Sequence, residues 1–178
     1  MSTDNKIIIT DVQSSDAKEV SDVYYYTWLE TYPDKELGIT LDDIEHHFKD
    51  RRSPERITKL QNAYKKLSDD ERIIVAKDGD HVVGVARLIK HKDNNQLQSI
   101  YVLPDHQKKG IGRALWGEAV RFFDPHMDIV VEVATYNKKA IDFYTSLGFK
   151  DTGRRFTEER HRMKSGVAIP EIEMRIKR

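Results

Sequence analysis

The 178 residues have the length of one ordinary domain, and 38% hydrophobic content is enough to build a core. Thirty lysines and arginines balance thirty aspartates and glutamates, which excludes a global basic field for non-specific nucleic-acid binding and requires any anion site to be local. The absence of cysteine excludes disulfides, thiolate metal sites and a cysteine nucleophile, and it suits a reducing compartment, with the cytoplasm the expected location.

Met1 to Lys6 is polar with no apolar core of signal-peptide length, and no later run approaches the roughly 20 apolar residues of a membrane span, so a soluble chain without a membrane partner is expected. Ile7, Ile8 and Ile9 are β-branched and precede Ser14, Ser15 and Asp16, good helix caps, which predicts a strand and then a helix to about Tyr32, stopped by Pro33. Thr40 caps a second, short helix whose Leu41, Ile44 and Phe48 share a face. Ser53 followed by Pro54 opens a third, with Ile57, Leu60, Tyr64 and Leu67 at helical spacing.

From Arg72 the pattern turns to strands: Ile73 to Ala76, a turn at Asp78-Gly79-Asp80, Val82 to Ile89, and Leu97 to Val102 ending near Pro104. This is an antiparallel meander. Ala114, Leu115, Ala119, Val120 and Phe123 suit a helix ended by Pro125, and Ile129 to Ala134 is a nearly all-apolar buried strand. Asn137 caps the next helix, with Ala140, Ile141, Tyr144 and Leu147 as its apolar face and Gly148 at its end. Strands Phe149 to Thr152 and Ile172 to Ile176 follow. The expected fold is α+β, a mixed and mostly antiparallel central sheet flanked by helices, in one domain over residues 1–178.

Gln107-Lys108-Lys109-Gly110-Ile111-Gly112-Arg113 lies between a strand and a helix. Its glycines permit a tight turn and close approach to a ligand, the helix start near Gly112 offers free amides, and Lys108, Lys109 and Arg113 add charge. With no Lys-Ser/Thr after the second glycine it is not a nucleoside-triphosphate loop, and a strand late in a meander does not suit a dinucleotide fold.

Val102-Leu103-Pro104 followed by Gln107 to Gly112 resembles the acetyl-CoA signature of the GNAT N-acetyltransferases, Gln/Arg-x-x-Gly-x-Gly/Ala, and Asn137 to Phe149 resembles the second half of that pattern. The likeness is firm over about 73–152, the expected cofactor core, and elsewhere extends only to element order. It implies a GNAT fold with helices on both sheet faces and acetyl-CoA as cofactor. Amides of Lys109, Gly110, Ile111, Gly112, Arg113 and Ala114 would hold the pyrophosphate, the strand end at Tyr101, Val102 and Leu103 would pair with the pantetheine arm, and Gln107, Lys108 and Asn137 would complete the site. By itself Asn137 reads equally as a helix cap.

Acetyl transfer from a thioester to an amine needs a neutral amine, a stabilised oxyanion and a protonated leaving thiolate. By resemblance Tyr144 is the proton donor to the sulfur; read alone, it is also a good core tyrosine. Glu132 is the expected base, because Val130, Val131, Val133 and Ala134 surround it and burial raises a carboxylate's pKa; an ion-paired structural glutamate or a water chain is the alternative. Thr27 to Tyr32 resembles the first helix of bacterial polyamine acetyltransferases of the PaiA type, and the position of Glu132 resembles that of the glutamate in ribosomal-protein and peptide N-terminal acetyltransferases. In that family the first helices shape the acceptor cleft, so the resemblance implies Trp28 and Tyr32 in it, with Asp34, Glu36, Asp42 and Asp43 supplying negative charge. By themselves most of these residues read as an aromatic face packed on the sheet and solvated acids.

His46-His47 diverge on a helix and have no ligand spacing, so no metal site is expected. Arg154, Arg155, Arg160, His161 and Arg162 read as a solvated basic loop, or as a contact for the 3′-phosphate of CoA. The expected partner is a small-molecule or peptide amine rather than nucleic acid, and the chain is expected to act as a monomer or homodimer. The competing reading is a non-catalytic CoA-binding regulatory module on the same fold.

Overall fold

The computed structural model describes residues 6–178, so of the polar Met1 to Lys6 stretch only Lys6 lies among them. Strand β1 (Ile8–Asp11) leads through a short 3-10 turn into helix α1 (Ala17–Thr31). Helices α2 (Leu41–Phe48) and α3 (Pro54–Tyr64) begin at the caps expected of them: Thr40 Oγ1 accepts from the Asp43 amide at 3.1 Å, and Ser53 Oγ accepts from the Arg56 amide at 3.2 Å. Strands β2 (Glu71–Asp78), β3 (His81–Lys90) and β4 (Asn95–Val102) form the antiparallel meander. Helix α4 (Ile111–Phe122), strand β5 (Ile129–Ala134) and helix α5 (Lys138–Ser146) follow, and strands β6 (Lys150–Arg162) and β7 (Ala168–Ile176) close the sheet.

Among the described residues seven strands run in the order β1-β2-β3-β4-β5-β7-β6, and the β4–β5 pair alone is parallel. Because side chains alternate across a sheet, neighbouring residues enter different cores. Ile74 and Ala86 meet Leu115 of α4 and Tyr144 of α5 on one face. Ile73, Val75 and Val85 meet Val20 and Val23 of α1 on the other. A third cluster joins Trp28 of α1 to Ile44 and Phe48 of α2, Met163 and Ile169. The α+β class with helices on both faces is therefore observed.

The basic stretch after Thr152 is not a loop. It continues β6 to Arg162, pairing with β7 through two register irregularities. Its charged sequence hides the strand because most of its residues are exposed, and an edge strand exposed to water needs no apolar alternation.

The β4–β5 junction positions the site. Parallel pairing is confined to Asn95 with Ile129 and Gln96 with Val130, after which the two strands part. Asn95, fully buried, fastens the closed end: its amide donates to the carbonyls of Asp124 (2.9 Å) and Met127 (3.0 Å), and its oxygen accepts from the Asp124 amide (3.0 Å). Beyond Gln96, the β5-facing edge of β4 is left without a strand partner.

Candidate active site

The loop before α4 is shaped by its backbone. Lys108 and Gly110 take the left-handed conformation, at φ 61° and φ 80°, and Gly110 is the residue before the helix. The first helical bond of α4 runs from the Ala114 amide to the Gly110 carbonyl, so the amides of Ile111, Gly112 and Arg113 precede it and have no intrahelical partner. No acidic residue lies in that first turn, and Lys108 and Lys109 are exposed beside it. This is an anion cradle at a helix N-terminus.

The glycines differ in purpose. Gly110 supplies the positive φ. A Cβ on Gly112 would stand 3.2 Å from the Phe143 ring, so Gly112 lets α4 lie against α5 rather than only admitting a ligand. Side chains expected on the cofactor also have internal work: Gln107 Nε2 donates to the Val102 carbonyl at 3.1 Å, and Arg113 donates to Ser146 Oγ at 2.9 Å. Asn137 Oδ1 accepts from the Ala140 amide at 3.1 Å, the cap reading of that residue. Leu103 leaves the meander with its amide on the Val83 carbonyl.

Tyr144 lies in the α4–α5 core, 5% exposed, and its hydroxyl has no hydrogen-bond partner among the described residues. Burial, with a smaller contribution from Tyr101, holds its pKa above the ordinary phenol value. Tyr32 and Tyr101 belong to the α1 side of the sheet. The Tyr32 and Tyr101 hydroxyls are 3.0 Å apart, and burial pushes Tyr101 up to about 12. A phenol so placed is protonated at neutral pH and available as a donor.

On the α1 side a cleft of about 550 Å³ opens between α1, α2, α3 and the strands, within the range of small-ligand sites. Trp28 and Tyr32 line it, with Tyr101 and Glu132. Trp28 stacks on His47 with ring centroids 4.8 Å apart. Glu132 is partly buried, with Arg160 at 3.8 Å and Arg154 at 4.0 Å. Burial first, then the charges of Glu158 and Glu171, raise its pKa, while the two arginines oppose the shift.

The acids expected to serve a cationic acceptor are elsewhere. Asp34 accepts from the Leu37 amide, Asp42 pairs with exposed Lys164, and Asp43 completes the α2 capping box and holds the Ser165 amide. None of these three, nor Glu36, lines the cleft. The charged residues that do line it include Glu132, Glu171, Arg51 and Arg160, gathered from four distant segments. The arginines of β6 are paired with carboxylates: Arg154 with Glu173, Arg155 with Asp151, Arg160 with Glu158 and Arg162 with Glu159. That removes the reading of this stretch as a free phosphate contact.

Sequence reasoning missed His161 and Glu171, both in the cleft wall. Glu171 and Glu173 alternate with Ile172, Met174 and Ile176, and each is 8% exposed. The argument that marks Glu132, a carboxylate inside an apolar strand, marks these as well. Glu158, His161 and Glu171 also bring ligand-type atoms within 4.8 Å of one another, a grouping distinct from the His46-His47 pair.

A splayed sheet, an amide cradle and a buried tyrosine between them define an acyl-CoA type of fold. The acetyltransferase (GNAT) family model matches residues 23–149, and the chain belongs to that family. It is 32% identical over 107 residues to a probable N-acetyltransferase of Mycobacterium tuberculosis, covering 58% of this chain and 59% of that protein. It is 33% identical over 90 residues to N-acetyltransferase 8F1 of Rattus norvegicus, covering 46% and 41%. The chain thus spans less than two thirds of these relatives' lengths. Among solved structures it is similar to the PaiA N-acetyltransferase of Thermoplasma acidophilum in complex with coenzyme A, with TM-score 0.73, 20% identity and coverage of 97% and 99%. It is also similar to the ribosomal-protein-S18-alanine N-acetyltransferase of Escherichia coli, with TM-score 0.64, 17% identity and coverage of 96% and 93%. These last two establish the shared fold.

Coenzyme A fits the residues present. The unpartnered amides before Ala114 and the charges of Lys108 and Lys109 suit a pyrophosphate. The free edge of β4 suits an amide-bearing arm, as an added strand would.

Proposed function

We propose that the protein transfers an acetyl group from acetyl-CoA to a primary amine, a small molecule or a peptide, in a single domain over residues 1–178. The observation that carries this is the parting of β4 and β5, which leaves a free edge on β4 leading to the unpartnered amides of α4, with Tyr101 of the same strand in the cleft wall. The cofactor, when bound, supplies the acetyl group as an activated thioester.

The amides of residues 109–114 hold the pyrophosphate, with Lys108 beside them. Tyr101, Val102 and Leu103 present backbone to the pantetheine arm, while Gln107 ties the loop to the end of β4 and Asn137 contacts the cofactor from the start of α5, which it caps. Trp28 and Tyr32 wall the acceptor. Tyr144 protonates the departing sulfur: its ring is buried in the core, and its hydroxyl is protonated and uncommitted. The amine arrives charged, since its pKa is roughly 10.4, and its proton leaves through the carboxylate-lined end of the cleft, where Glu132 stands.

Calorimetric titration with CoA, followed by an amine-panel screen for free thiol release from acetyl-CoA, tests the reading. CoA binding together with amine-dependent thiol release is expected. Tight CoA binding without thiol release from any amine would leave a CoA-binding regulatory module instead.

A further inference from the structure

The acetyl-transfer reading, on which the following rests, places the thioester sulfur beside Tyr144, so the first proton acceptor for the amine belongs at the tyrosine end of the cleft. Glu132 is not the carboxylate that faces that end. The charges acting on it are Glu158, Glu171, Arg160 and Arg154. Glu171, by contrast, acts on Tyr32, Tyr101 and Tyr136, and Tyr32 also feels Tyr144. The register explains this: Glu132 is opposite Glu173 on β7, whereas Glu171 is opposite Ala134, one pleat closer to the mouth where β5 ends.

Glu171 is buried, and its Oε2 lies 3.3 Å from Nδ1 of His161. An ionised carboxylate only accepts, so Nδ1 carries the proton and donates, which leaves the lone pair on Nε2. A carboxylate behind an imidazole is the arrangement that fixes a general base in its working tautomer. Trp28 meets the His161 ring edge-on, with centroids 5.7 Å apart, so the imidazole shares the wall expected to hold the acceptor.

We propose that His161, oriented by Glu171, takes the proton from the acceptor ammonium, and that Glu132 is the next group on the proton's way to solvent. An N–H bond of the ammonium breaks, one forms at His161 Nε2, and the freed nitrogen lone pair attacks the acyl carbon. The imidazolium charge is balanced by Glu171. Over the whole reaction the amine loses two protons; one is replaced at the sulfur through Tyr144, and the other leaves through the dyad. The groups facing His161 are Glu171 from β7, Glu158 and Arg160 from its own strand, and His47 from α2. Glu132 from β5 stands beyond Arg160, and Tyr32 and Tyr101 face Glu171 from α1 and β4.

The test is the pH profile of kcat/KM for the full chain, on an amine found by thiol release, with His161→Gln, Glu171→Gln and Glu132→Gln beside the parent. CoA calorimetry on each variant checks that it is folded. In His161→Gln a loss of about 10² or more at neutral pH is expected, carried by kcat, with log kcat/KM then rising by about one per pH unit toward the pKa of the amine itself. Glu171→Gln should lower kcat less than His161→Gln does, because the imidazole remains and only its orienting partner is weakened. Glu132→Gln should show a smaller loss with the parent's shape. Added imidazole should restore part of the activity of His161→Ala.

A His161→Gln profile parallel to the parent, or the steep rise appearing in Glu132→Gln instead, overturns the assignment. So does loss of activity on chelation, which would make Glu158, His161 and Glu171 metal ligands. A parent protein that binds CoA yet acetylates no amine removes the acetyl-transfer reading, and the dyad's role with it.

Discussion

The two sides of the parted sheet are built in different ways. On the cofactor side the chemistry is carried by backbone: the amides at the start of α4, the free edge of β4 and the left-handed turn at Lys108 and Gly110. All of it comes from one continuous stretch, residues 95–114. On the acceptor side the chemistry is carried by side chains from α1, α2, β5, β6 and β7, with Trp28 and Glu171 more than a hundred residues apart in the chain. A site made of backbone is fixed by local geometry and tolerates many side chains. A site made of side chains is fixed by packing and changes with each substitution.

Tyr144 stands between the two and should give the largest effect. Tyr144→Phe keeps the ring in its core and removes the hydroxyl, so kcat should fall roughly 10²- to 10³-fold. CoA affinity, read by calorimetry, should be nearly unchanged. A wild-type kcat would make Tyr144 a core residue and leave the comparison without its hinge.

Asn95 secures the closed end of the parting. Asn95→Ala removes three buried hydrogen bonds and leaves the Asp124 amide and two carbonyls unpaired, which should cost about 3 kcal/mol in urea unfolding. CoA affinity should drop as well, since β4 and β5 would lose their fixed angle. Full stability in this variant would show that the parting is held elsewhere.

The two glycines separate backbone geometry from packing. Gly110→Val forces a β-branched residue to φ 80°, a strain of about 1–2 kcal/mol, and should weaken CoA binding roughly tenfold. Gly112→Ala sets a methyl 3.2 Å from Phe143, so its main effect should be on stability, about 1 kcal/mol in thermal unfolding. The reverse pattern would mean that Gly112, not Gly110, shapes the cradle.

The last effect is on the acceptor side and is confined to stability at acidic pH. Burial first, then the charges of Arg51, His161 and His46, lower His47 to about 4, against about 6.5 in the unfolded chain. The unfolded state therefore binds the proton first, and stability present above pH 6.5 is lost as pH falls toward 4. After discounting for solvent screening the loss is roughly 1–2 kcal/mol. His47→Phe should keep the stack on Trp28 and flatten that part of the stability profile in denaturant titrations. An unchanged profile would mean that His47 has a solvated ring.

This division also governs what could be read in advance. The antiparallel meander, the caps at Thr40, Ser53 and Asn137, and the glycine turn into α4 depend on neighbours within a few residues, so the sequence of the chain was enough to place them. Trp28 and Tyr32 lie one helical turn apart at the end of α1, so their shared place in the cleft wall follows from helical spacing. The places of Asp42 and Asp43 do not, because nothing local distinguishes an acid that caps a helix from one that faces a ligand.

What the amino-acid sequence determined alone is the family, the strand and helix order of the cofactor half and the tyrosine set between the two halves. The tertiary structure decided that β6 is a long edge strand, that Asn95 fastens the parting, and that Glu171 and His161 meet in the cleft beside Trp28. The reason is physical. A turn, a cap or a helix terminus is satisfied by groups close in the chain, whereas pairing His161 with Glu171 requires the register of the β6–β7 hairpin, and facing them toward Tyr32 requires α1 to pack across the sheet.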